Sequence, residues 1–309
     1  MECNKPKVLI LLAMYNGEPW INEQIESILK QQDVTISIIV SDDNSTDDSK
    51  SIVSRIMKSN NNVSMITRLN SSGSSGQNFF YLIRKCNIDN YDYIAFSDQD
   101  DIWLENKLCT GIELLENNNA CGYSSSTMAF WKSGKEKLIT QSDKIRDLDF
   151  LFEGAGQGCT FILKRDFFSH VQKFCNDNKS ITEKFFYHDW LVYILARSKE
   201  NRWFFDSKSY IRYRQHESND TGARGTATAV IRRLNLISNG WYKSQIKVAL
   251  EISKLTSKTN ANLEDFEKIF NSKISFSRRL KLVSFFIIKG RRKIIDRLIL
   301  VISSFLGWV

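Results

Sequence analysis

Residues 93–103 have the sequence YIAFSDQDDIW. The apolar, aromatic start of this stretch predicts a short buried strand over residues 91–97. Asp98, Asp100 and Asp101 follow at its carboxyl end, where open α/β sheets bind their ligands. Because like charges this close repel one another, we expect a cation here, and carboxylate oxygens suit Mg²⁺ or Mn²⁺ bridging a substrate diphosphate. The alternative is a solvated acidic loop.

The residues before this stretch alternate between strand and helix patterns. Continuous apolar runs predict strands at residues 7–15 and 36–40, buried on both faces of a parallel sheet, and 63–66 is a third candidate. Apolar residues at helical spacing predict a helix after each strand. Four strands that alternate with helices indicate right-handed βαβ units, so the predicted fold class is α/β with a mostly parallel sheet and flanking helices.

The remaining pattern is less regular. A glycine-rich turn is predicted at 153–160, after a charged connection at 132–147. The predicted helices lie at residues 107–116, 165–174 and 185–196, and the predicted strands lie at 123–131, 161–163, 203–205 and 210–213. From residue 226 the pattern indicates four amphipathic helices and no strands. We therefore divide the chain into a catalytic domain, residues 1–225, and a helical basic region, residues 226–309.

The charge of the chain is unevenly distributed. Of its 309 residues 42% are hydrophobic, as in an ordinary globular protein, and the formal net charge is +8. Residues 221–309 contain 17 Lys+Arg and 5 Asp+Glu, so the basic excess belongs to the C-terminal end. The apolar runs at 282–288 and 294–309 do not reach the ~20 uninterrupted apolar residues that span a bilayer. Basic clusters beside amphipathic helices favour an anionic membrane surface as partner, with a lobe packed on the catalytic domain or on a partner subunit as the alternative.

Several other classes of protein are disfavoured. The six cysteines include no Cys-x-x-Cys pair, which argues against a zinc or redox motif and suits a reducing cytosol. The N-terminus has no signal-peptide pattern. A dinucleotide enzyme and a P-loop NTPase are both unsupported, because neither glycine-rich signature occurs. Nucleic acid is a poor partner, since the basic residues are mixed with aliphatic runs and no recognition motif is present.

The first two predicted strands end in polar residues at corresponding positions. The sequence AMYNG occupies 13–17, and Asp42 and Asp43 end the second strand. Two carboxyl ends side by side form a cleft that suits a nucleotide, and Asp42 offers a carboxylate to a base N–H or a ribose hydroxyl. The alternative is that the acids of 42–48 only cap the next helix, which is the favoured interpretation of Asp47 and Asp48.

Five motifs now occur in order along the chain. They are AMYNG at 13–17, SDDNSTD at 41–47, FSDQDDIW at 96–103, HDW at 188–190 and YRQH at 213–216. Together they resemble family 2 glycosyltransferases of the GT-A fold, most of all bacterial rhamnosyltransferase-type enzymes of surface polysaccharide synthesis. The resemblance covers about residues 7–216. It implies metal-dependent, inverting transfer of a sugar from a nucleotide-sugar donor to a hydroxyl.

The resemblance also implies roles for individual residues. The implied nucleotide-binding residues are Ala13, Tyr15, Asp42, Asp98 and Gln99. The implied ligands of Mg²⁺ or Mn²⁺ are Asp98, Asp100 and His216, with Asp101 as a helper, and the implied catalytic base is Asp189.

The alternatives to these roles are structural. Helix capping is the alternative for Asp189, and a surface position is the alternative for His216. The family more often has an acid where this chain has His188, so the roles within the His188–Asp189 pair stay open. Gly156 and Gly158 either let the backbone approach an acceptor sugar or only form a turn. If Asp189 is a cap, the candidates for the base are Glu153, Asp149 and Glu183.

The predicted function follows from the resemblance. The enzyme would use dTDP-rhamnose, or a UDP-hexose next, and a lipid-linked glycan acceptor in capsule, O-antigen or other surface polysaccharide synthesis. It would be cytoplasmic and peripheral at the inner face of the cell membrane. The alternatives are a nucleotidyltransferase, which would use similar carboxylates but attack phosphorus, and a non-catalytic nucleotide-sugar-binding protein at the membrane surface.

Overall fold

The computed structural model describes residues 5–141, 144–199, 202–216, 234–257 and 261–309. The strands are β1 (Lys7–Met14), β2 (Thr35–Asp42), β3 (Val63–Thr67), β4 (Tyr93–Ser97), β5 (Ile102–Trp103), β6 (Gly122–Trp131), β7 (Glu136–Ile139), β8 (Ile162–Lys164) and β9 (Trp203–Gln215). The helices of the catalytic part are α1 (Ile21–Leu29), α2 (Ser49–Ser59), α3 (Ser75–Lys85), α4 (Lys107–Asn117), α5 (Arg165–Asp177), α6 (Lys179–Thr182) and α7 (His188–Ser198).

The C-terminal part consists of helices joined by short connections, without strands among its described residues. Residues 234–238 are helical. Four longer helices follow, namely α8 (Trp241–Thr256), α9 (Ala261–Asn271), α10 (Phe276–Lys289) and α11 (Ile294–Leu306). No helix among the described residues is long and apolar enough to cross a bilayer. The predicted boundary between residues 225 and 226 lies outside the described residues.

The strands of the described chain form one mixed sheet in the order β3-β2-β1-β4-β8-β6-β9-β5, with β7 paired to β6. β1 pairs in parallel with both β2 and β4, which brings Met14 beside Asp42 and Leu12 beside Ser97. β8 is antiparallel to β4 and to β6, so the parallel order of the first four strands does not continue. The carboxyl ends of β1, β2 and β4 therefore meet at one edge of the sheet.

The sheet is buried on both faces, as the sequence of β1 predicts. Alternate residues of β1 enter two hydrophobic cores, Leu9 and Leu11 on one face and Val8 and Ile10 on the other. Helices α1, α2 and α4 cover the second face, and α3, α5 and α7 cover the first. The α/β class with flanking helices and a helical C-terminal region is confirmed.

Two local predictions differ from the structure, and one strand was not predicted. The charged connection predicted at 132–147 contains β7, which forms a hairpin with β6. The two strands predicted at 203–205 and 210–213 are one strand, because β9 continues through polar residues 206–209 with shifts in its register to β6. The short β5 pairs with β9, a long-range contact that local patterns do not indicate.

The C-terminal helices pack on the catalytic part. The Tyr242 hydroxyl donates to the carbonyl of Phe152 at 2.5 Å, and the Phe186 N–H donates to the Gln245 side chain at 2.9 Å. The Phe152 ring also contacts the ring of Phe266, with 5.2 Å between centroids. These helices thus share one hydrophobic core with α3, α5 and α7.

Candidate active site

The ends of β1 and β2 form the first wall of the site. Asp42 is fully buried, and both of its carboxylate oxygens accept from the Ser45 N–H, at 3.2 and 3.3 Å. The Asp43 N–H donates to the Met14 carbonyl at 2.8 Å, which ties the two strand ends together. Ala13 is also buried here. The sequence-predicted nucleotide residues Ala13 and Asp42 thus lie on adjacent strands at one edge.

Gln99 connects the first motif to the acidic strand end. Its side-chain carbonyl accepts from the Tyr15 N–H at 2.8 Å, and its NH₂ group donates to the Tyr15 carbonyl at 3.0 Å. The Tyr15 side chain is itself about half exposed, at 51%. Gly17 lies against Gln99 so closely that a Cβ on Gly17 would stand 2.5 Å from the amide oxygen. The close approach of the Gln99 side chain explains why glycine suits position 17.

A cluster of potential metal ligands lies after β4. One ligand atom from each of Asp98, Asp101 and Cys159 lies within 4.8 Å of the other two. Asp101 is buried, and burial raises the pKa of its carboxyl well above the ordinary value, with further increases from the charges of Asp100 and Asp98. A bound cation would offset this repulsion. The Asp98 and Asp101 carboxylates therefore fit a divalent ion, whereas burial raises the pKa of the Cys159 thiol well above its ordinary value and keeps it protonated. Cys159 was not predicted as a neighbour of the carboxylates, and the predicted ligands Asp100 and His216 are not members of this group of three.

Residues at the end of β9 contact the aspartates that follow β4. The Nε2 atom of His216 lies 2.6 Å from an oxygen of Asp100, and the imidazole stacks on the indole of Trp20 at 4.1 Å between centroids. The Arg214 N–H donates to Asp101 at 3.2 Å, and its Nε–H donates to the Asp100 carbonyl at 2.9 Å. Asp100 and His216, predicted as ligands of one ion, are thus in direct contact.

Lys107 is a buried neighbour of Asp101 and Cys159 in the acidic cluster. Its side chain is almost fully buried, and its ammonium group stands 3.5 Å from the centre of the Trp103 ring, with no hydrogen-bond partner among the described residues. Burial lowers the pKa of Lys107 to about 7, against the opposing effects of Cys159 and Asp101. Lys107 was not predicted as part of the site, because a lysine in the first turn of an amphipathic helix is usually exposed.

The short 3₁₀ turn Gly158–Thr160 connects the acidic cluster to the candidate base. Cys159 contributes its thiol to the cluster, whereas Gly158 faces the start of α7. A Cβ added to Gly158 would stand 2.7 Å from His188 Nε2 and 3.3 Å from Asp189 Cβ. The carboxylates and Asp189 therefore lie against consecutive residues of one turn. Gly156 has a positive φ of 129°, which favours glycine there.

The two members of the His188–Asp189 pair have different environments. His188 is buried, stacked on Phe79 at 3.8 Å and edge-on to Phe96 at 5.0 Å between centroids. Burial lowers the pKa of His188 to about 3, so the imidazole is neutral near pH 7. Asp189 is only partly buried, and its carboxylate accepts from the Trp190 N–H at 2.7 Å. Asp189 is thus the member of the pair that a substrate can reach.

The other carboxylates considered for the base are engaged elsewhere. Glu153 is buried and accepts from the Arg292 N–H at 2.5 Å. Asp149 is fully buried and accepts from Arg197 at 2.9 Å and from Arg292 at 3.0 Å. Glu183 is exposed and pairs with a neighbouring lysine at 3.8 Å. Glu153 and Asp149 therefore anchor the C-terminal helices.

A further cation near the strand ends was not predicted. The Arg68 Nε atom lies 3.2 Å from Asp43, and its guanidinium covers the Tyr81 ring at 4.5 Å. One of its terminal nitrogens is buried with no hydrogen-bond partner in the described part of the chain. Sequence patterns cannot find such a residue, because it lies 25 positions after Asp43 in a loop of ordinary composition.

The fold resembles that of known glycosyltransferases. The structure superposes on S. aureus TarS (residues 1–349) with a TM-score of 0.56 at 15% identity, covering 98% of this chain and 81% of that one. It superposes on the mannosyltransferase PcManGT from Pyrobaculum calidifontis, solved with GDP-Man and Mn²⁺, with a TM-score of 0.54 at 15% identity, covering 99% and 87%. The chain therefore has the GT-A glycosyltransferase fold. Residues 9–172 match the model of Glycosyl transferase family 2, and the protein belongs to that family.

Two curated relatives have more specific names. The chain is 40% identical over 236 residues to the "dTDP-rhamnosyl transferase RfbG" of Shigella flexneri, a match that covers 76% of this chain and 82% of that protein. It is 25% identical over 217 residues to the "GalNAc(5)-diNAcBac-PP-undecaprenol beta-1,3-glucosyltransferase" of Campylobacter jejuni, covering 68% and 65%. The predicted glycosyltransferase class is thereby confirmed.

Proposed function

We propose that this enzyme transfers rhamnose from dTDP-rhamnose, with inversion, to a hydroxyl of a lipid-linked glycan. One observation carries the mechanism: the acidic cluster and Asp189 lie against consecutive residues of the turn Gly158–Thr160. Inverting transfer requires the leaving group and the base on opposite sides of the sugar. The similarity to the Shigella flexneri enzyme supports the donor, with a UDP-hexose as the next candidate.

The donor end of the site is assigned to the three strand ends. Ala13, Tyr15 and Asp42 would bind the nucleotide, and Gln99 would hold the Tyr15 backbone in place through its paired contacts. Asp98, Asp100 and His216 would hold Mg²⁺ or Mn²⁺. When bound, the ion would neutralise the charge that develops on the leaving diphosphate.

The acceptor end is assigned to α7. Asp189 would take the proton from the acceptor hydroxyl as it attacks the anomeric carbon. Its position at the first turn of α7 favours the ionised carboxylate. The buried, neutral His188 would support the helix start and the turn that carries Gly158, which makes it a structural neighbour of the base.

The acceptor and the location belong to the same proposal. Relatives are named for diphosphoundecaprenol-linked acceptors, which supports a lipid-linked glycan of surface polysaccharide synthesis as the acceptor here. We place the enzyme in the cytoplasm, peripheral at the inner face of the cell membrane. The basic composition of residues 221–309 supports this placement.

A donor screen tests the proposal. The purified chain would be incubated with Mn²⁺ and either dTDP-rhamnose or UDP-hexoses, with and without a diphosphate-linked glycolipid acceptor. We expect sugar transfer with release of free nucleoside diphosphate, largest for dTDP-rhamnose. Release of pyrophosphate would indicate a nucleotidyltransferase instead. Donor binding without transfer or donor hydrolysis would indicate a binding protein without turnover.

A further inference from the structure

The C-terminal helices expose an unusual amount of apolar side chain. Of the 17 large hydrophobic residues that are exposed in the described chain, 11 lie between residues 274 and 306. They are Ile274, Phe276, Leu280, Ile287, Ile288, Ile294, Ile295, Leu298, Ile302, Phe305 and Leu306. A concentration of this kind marks an interaction surface, whereas single exposed apolar residues do not.

These residues form one continuous face on two packed helices. On α10 they recur at four- and seven-residue intervals, which places them on one side of the helix, and α11 follows the same pattern. The rings of Phe276 and Phe305 are 6.4 Å apart between centroids, and Arg297 donates to the Ile287 carbonyl at 3.2 Å. The start of α10 thus meets the end of α11. We call the exposed apolar side of α10 and α11 the hairpin face.

Positive charges predominate around the hairpin face, although Arg278 and Arg292 are buried and Lys289 lies 3.9 Å from Asp147 of the catalytic part. Residues 272–309 contain nine lysines and arginines and a single acid, Asp296. Asp296 is buried and lies 3.8 Å from Arg291, so it does not present a carboxylate at the surface. Lys273 and Lys281 are exposed. An apolar strip bordered by cations matches the interface of a bilayer that contains anionic lipids.

We propose that the hairpin face docks the enzyme on the surface of an anionic lipid bilayer. A second copy of this chain fits less well, because two such faces would bring like charges together. Docking would insert the apolar side chains among the lipid headgroups and place the lysines against phosphates. The hairpin face would be the part of the proposed enzyme that meets the membrane. Docking rests on the proposed function only in that a lipid-linked acceptor requires the enzyme to reach a bilayer.

The connection between α10 and α11 contacts the loop at Gly154, which lies beside the start of α7 in the acceptor part of the site. Arg292, in the connection between α10 and α11, donates to the Gly154 carbonyl at 2.6 Å. A Cβ on Gly154 would stand 3.3 Å from the Cα of Trp190, the residue after Asp189. Lys293 donates to the Thr140 carbonyl at 2.6 Å. A docked hairpin would therefore hold the loop beside the candidate base at a fixed place relative to the bilayer, where a lipid-linked acceptor is presented.

The test uses the full chain and vesicles of defined composition. Sedimentation would compare phosphatidylcholine vesicles with vesicles that contain phosphatidylglycerol, for the wild type and for the double variant Ile288→Gln/Ile295→Gln. We expect the double variant to lose at least tenfold in affinity for the phosphatidylglycerol vesicles. Leu255→Gln is the control, because Leu255 is also a largely exposed aliphatic residue, at 58% against 63% for Ile288 and 74% for Ile295, but lies on α8. Its affinity should remain that of the wild type.

The outcomes separate this proposal from the proposed function. Thermal unfolding and donor hydrolysis without vesicles should be the same in the double variant as in the wild type, since neither isoleucine supports the core. Unchanged vesicle binding by the double variant would overturn the docking proposal, even if transfer is confirmed. A wild-type dimer that the same substitutions dissociate, measured by light scattering, would also overturn it and favour a second copy. Vesicle binding by an enzyme without transferase activity would instead overturn the proposed function.

Discussion

The His216 imidazole contacts the Asp100 carboxylate at 2.6 Å, although the two residues are 116 positions apart in the chain. The contact joins the end of β9 to the turn after β4. Stacking on Trp20, at 4.1 Å between centroids, fixes the plane of the imidazole. The three segments that meet here are held together before any ion binds, so two of the proposed metal ligands, Asp100 and His216, are already in contact.

This arrangement leads to a prediction about metal dependence. We expect Asp100→Ala to abolish transfer, and His216→Gln to raise the Mn²⁺ concentration required for half-maximal activity by tenfold or more, because one nitrogen ligand is lost. Titration of Mn²⁺ in the transfer assay measures the effect, and calorimetry of donor binding with and without Mn²⁺ provides a second readout. His170→Gln is the control, since His170 is exposed on α5 and its Nδ1 atom lies 2.7 Å from the carbonyl of Asp166 in its own helix. Full activity in excess EDTA would contradict the metal assignment.

Local patterns predicted the N-terminal half well for a physical reason. β1 is apolar because both of its faces are buried, and such a run is visible without knowledge of its neighbours. The closeness of Ala13 and Asp42 follows from the parallel connection alone, since Ala13 pairs with Ser41 and Met14 with Asp42. By contrast, β5 exists only because β9 lies beside it, and the continuity of β9 depends on its pairing with β6. Contacts between distant segments leave no local pattern.

The same distinction applies to the site. Asp98 and Asp100 were predicted because both directly follow a buried strand and match the motif of the resemblance. Cys159, Lys107 and Arg68 were missed because each becomes significant only through a neighbour far away in the chain. His216 was predicted from the resemblance to a family. The sequence around it, taken alone, favours a ligand role and a surface role equally. Burial of Lys107 in particular cannot be inferred from a helix of ordinary amphipathic pattern.

A second prediction concerns the pH dependence of stability. The pKa of His188 is about 3 in the folded chain against an ordinary 6.5, so between these values the unfolded chain binds the extra proton. The contribution to the free energy of unfolding is therefore fully present above pH 6.5 and falls by about 1.4 kcal/mol per unit as the pH drops towards 3. Urea unfolding at pH 7 and pH 5 should show a loss that is about 2 kcal/mol smaller in His188→Met than in the wild type.

The histidine control for this experiment is again His170→Gln. That variant should retain the wild-type loss between pH 7 and pH 5, because His170 is exposed in the folded chain. Equal losses in His188→Met and the wild type would show that the imidazole takes up its proton without unfolding.

A third prediction concerns the attachment of the C-terminal helices. The buried Arg292 side chain donates to Asp149 at 3.0 Å, and its Nε atom lies 3.7 Å from Glu153. Arg292→Met would remove this guanidinium from both buried carboxylates, although the backbone N–H that Glu153 accepts from would remain. Breaking one member of a buried ionic network costs about 3–5 kcal/mol. Urea unfolding should show a loss in this range.

A surface pair provides the comparison. Arg212 and Glu136 form an ion pair of 2.9 Å with both side chains nearly half exposed, and Arg212→Met should cost at most about 1 kcal/mol.

A chain truncated after residue 240 should fail to fold, because it would expose Phe152 and other core residues that the C-terminal helices cover. A folded truncated chain, with a cooperative thermal transition, would show that these helices are an independent lobe.

The last prediction concerns Asp189, the proposed base. Asp189→Asn keeps the size of the side chain and an oxygen that can accept from the Trp190 N–H, but it cannot take a proton from the acceptor. Loss of a general base typically lowers the rate by about 10²–10⁴-fold, and we expect kcat for transfer to fall in this range. Donor affinity in the presence of Mn²⁺, measured by calorimetry, should remain near the wild-type value, because Asp189 lies on the α7 side of the turn Gly158–Thr160 and not among the carboxylates after β4. Glu183→Gln, a substitution of an exposed acid in the segment before α7, should leave both quantities unchanged. Normal turnover by Asp189→Asn would exclude it as the base, and a parallel loss of donor affinity would indicate that the carboxylate supports the fold of the turn.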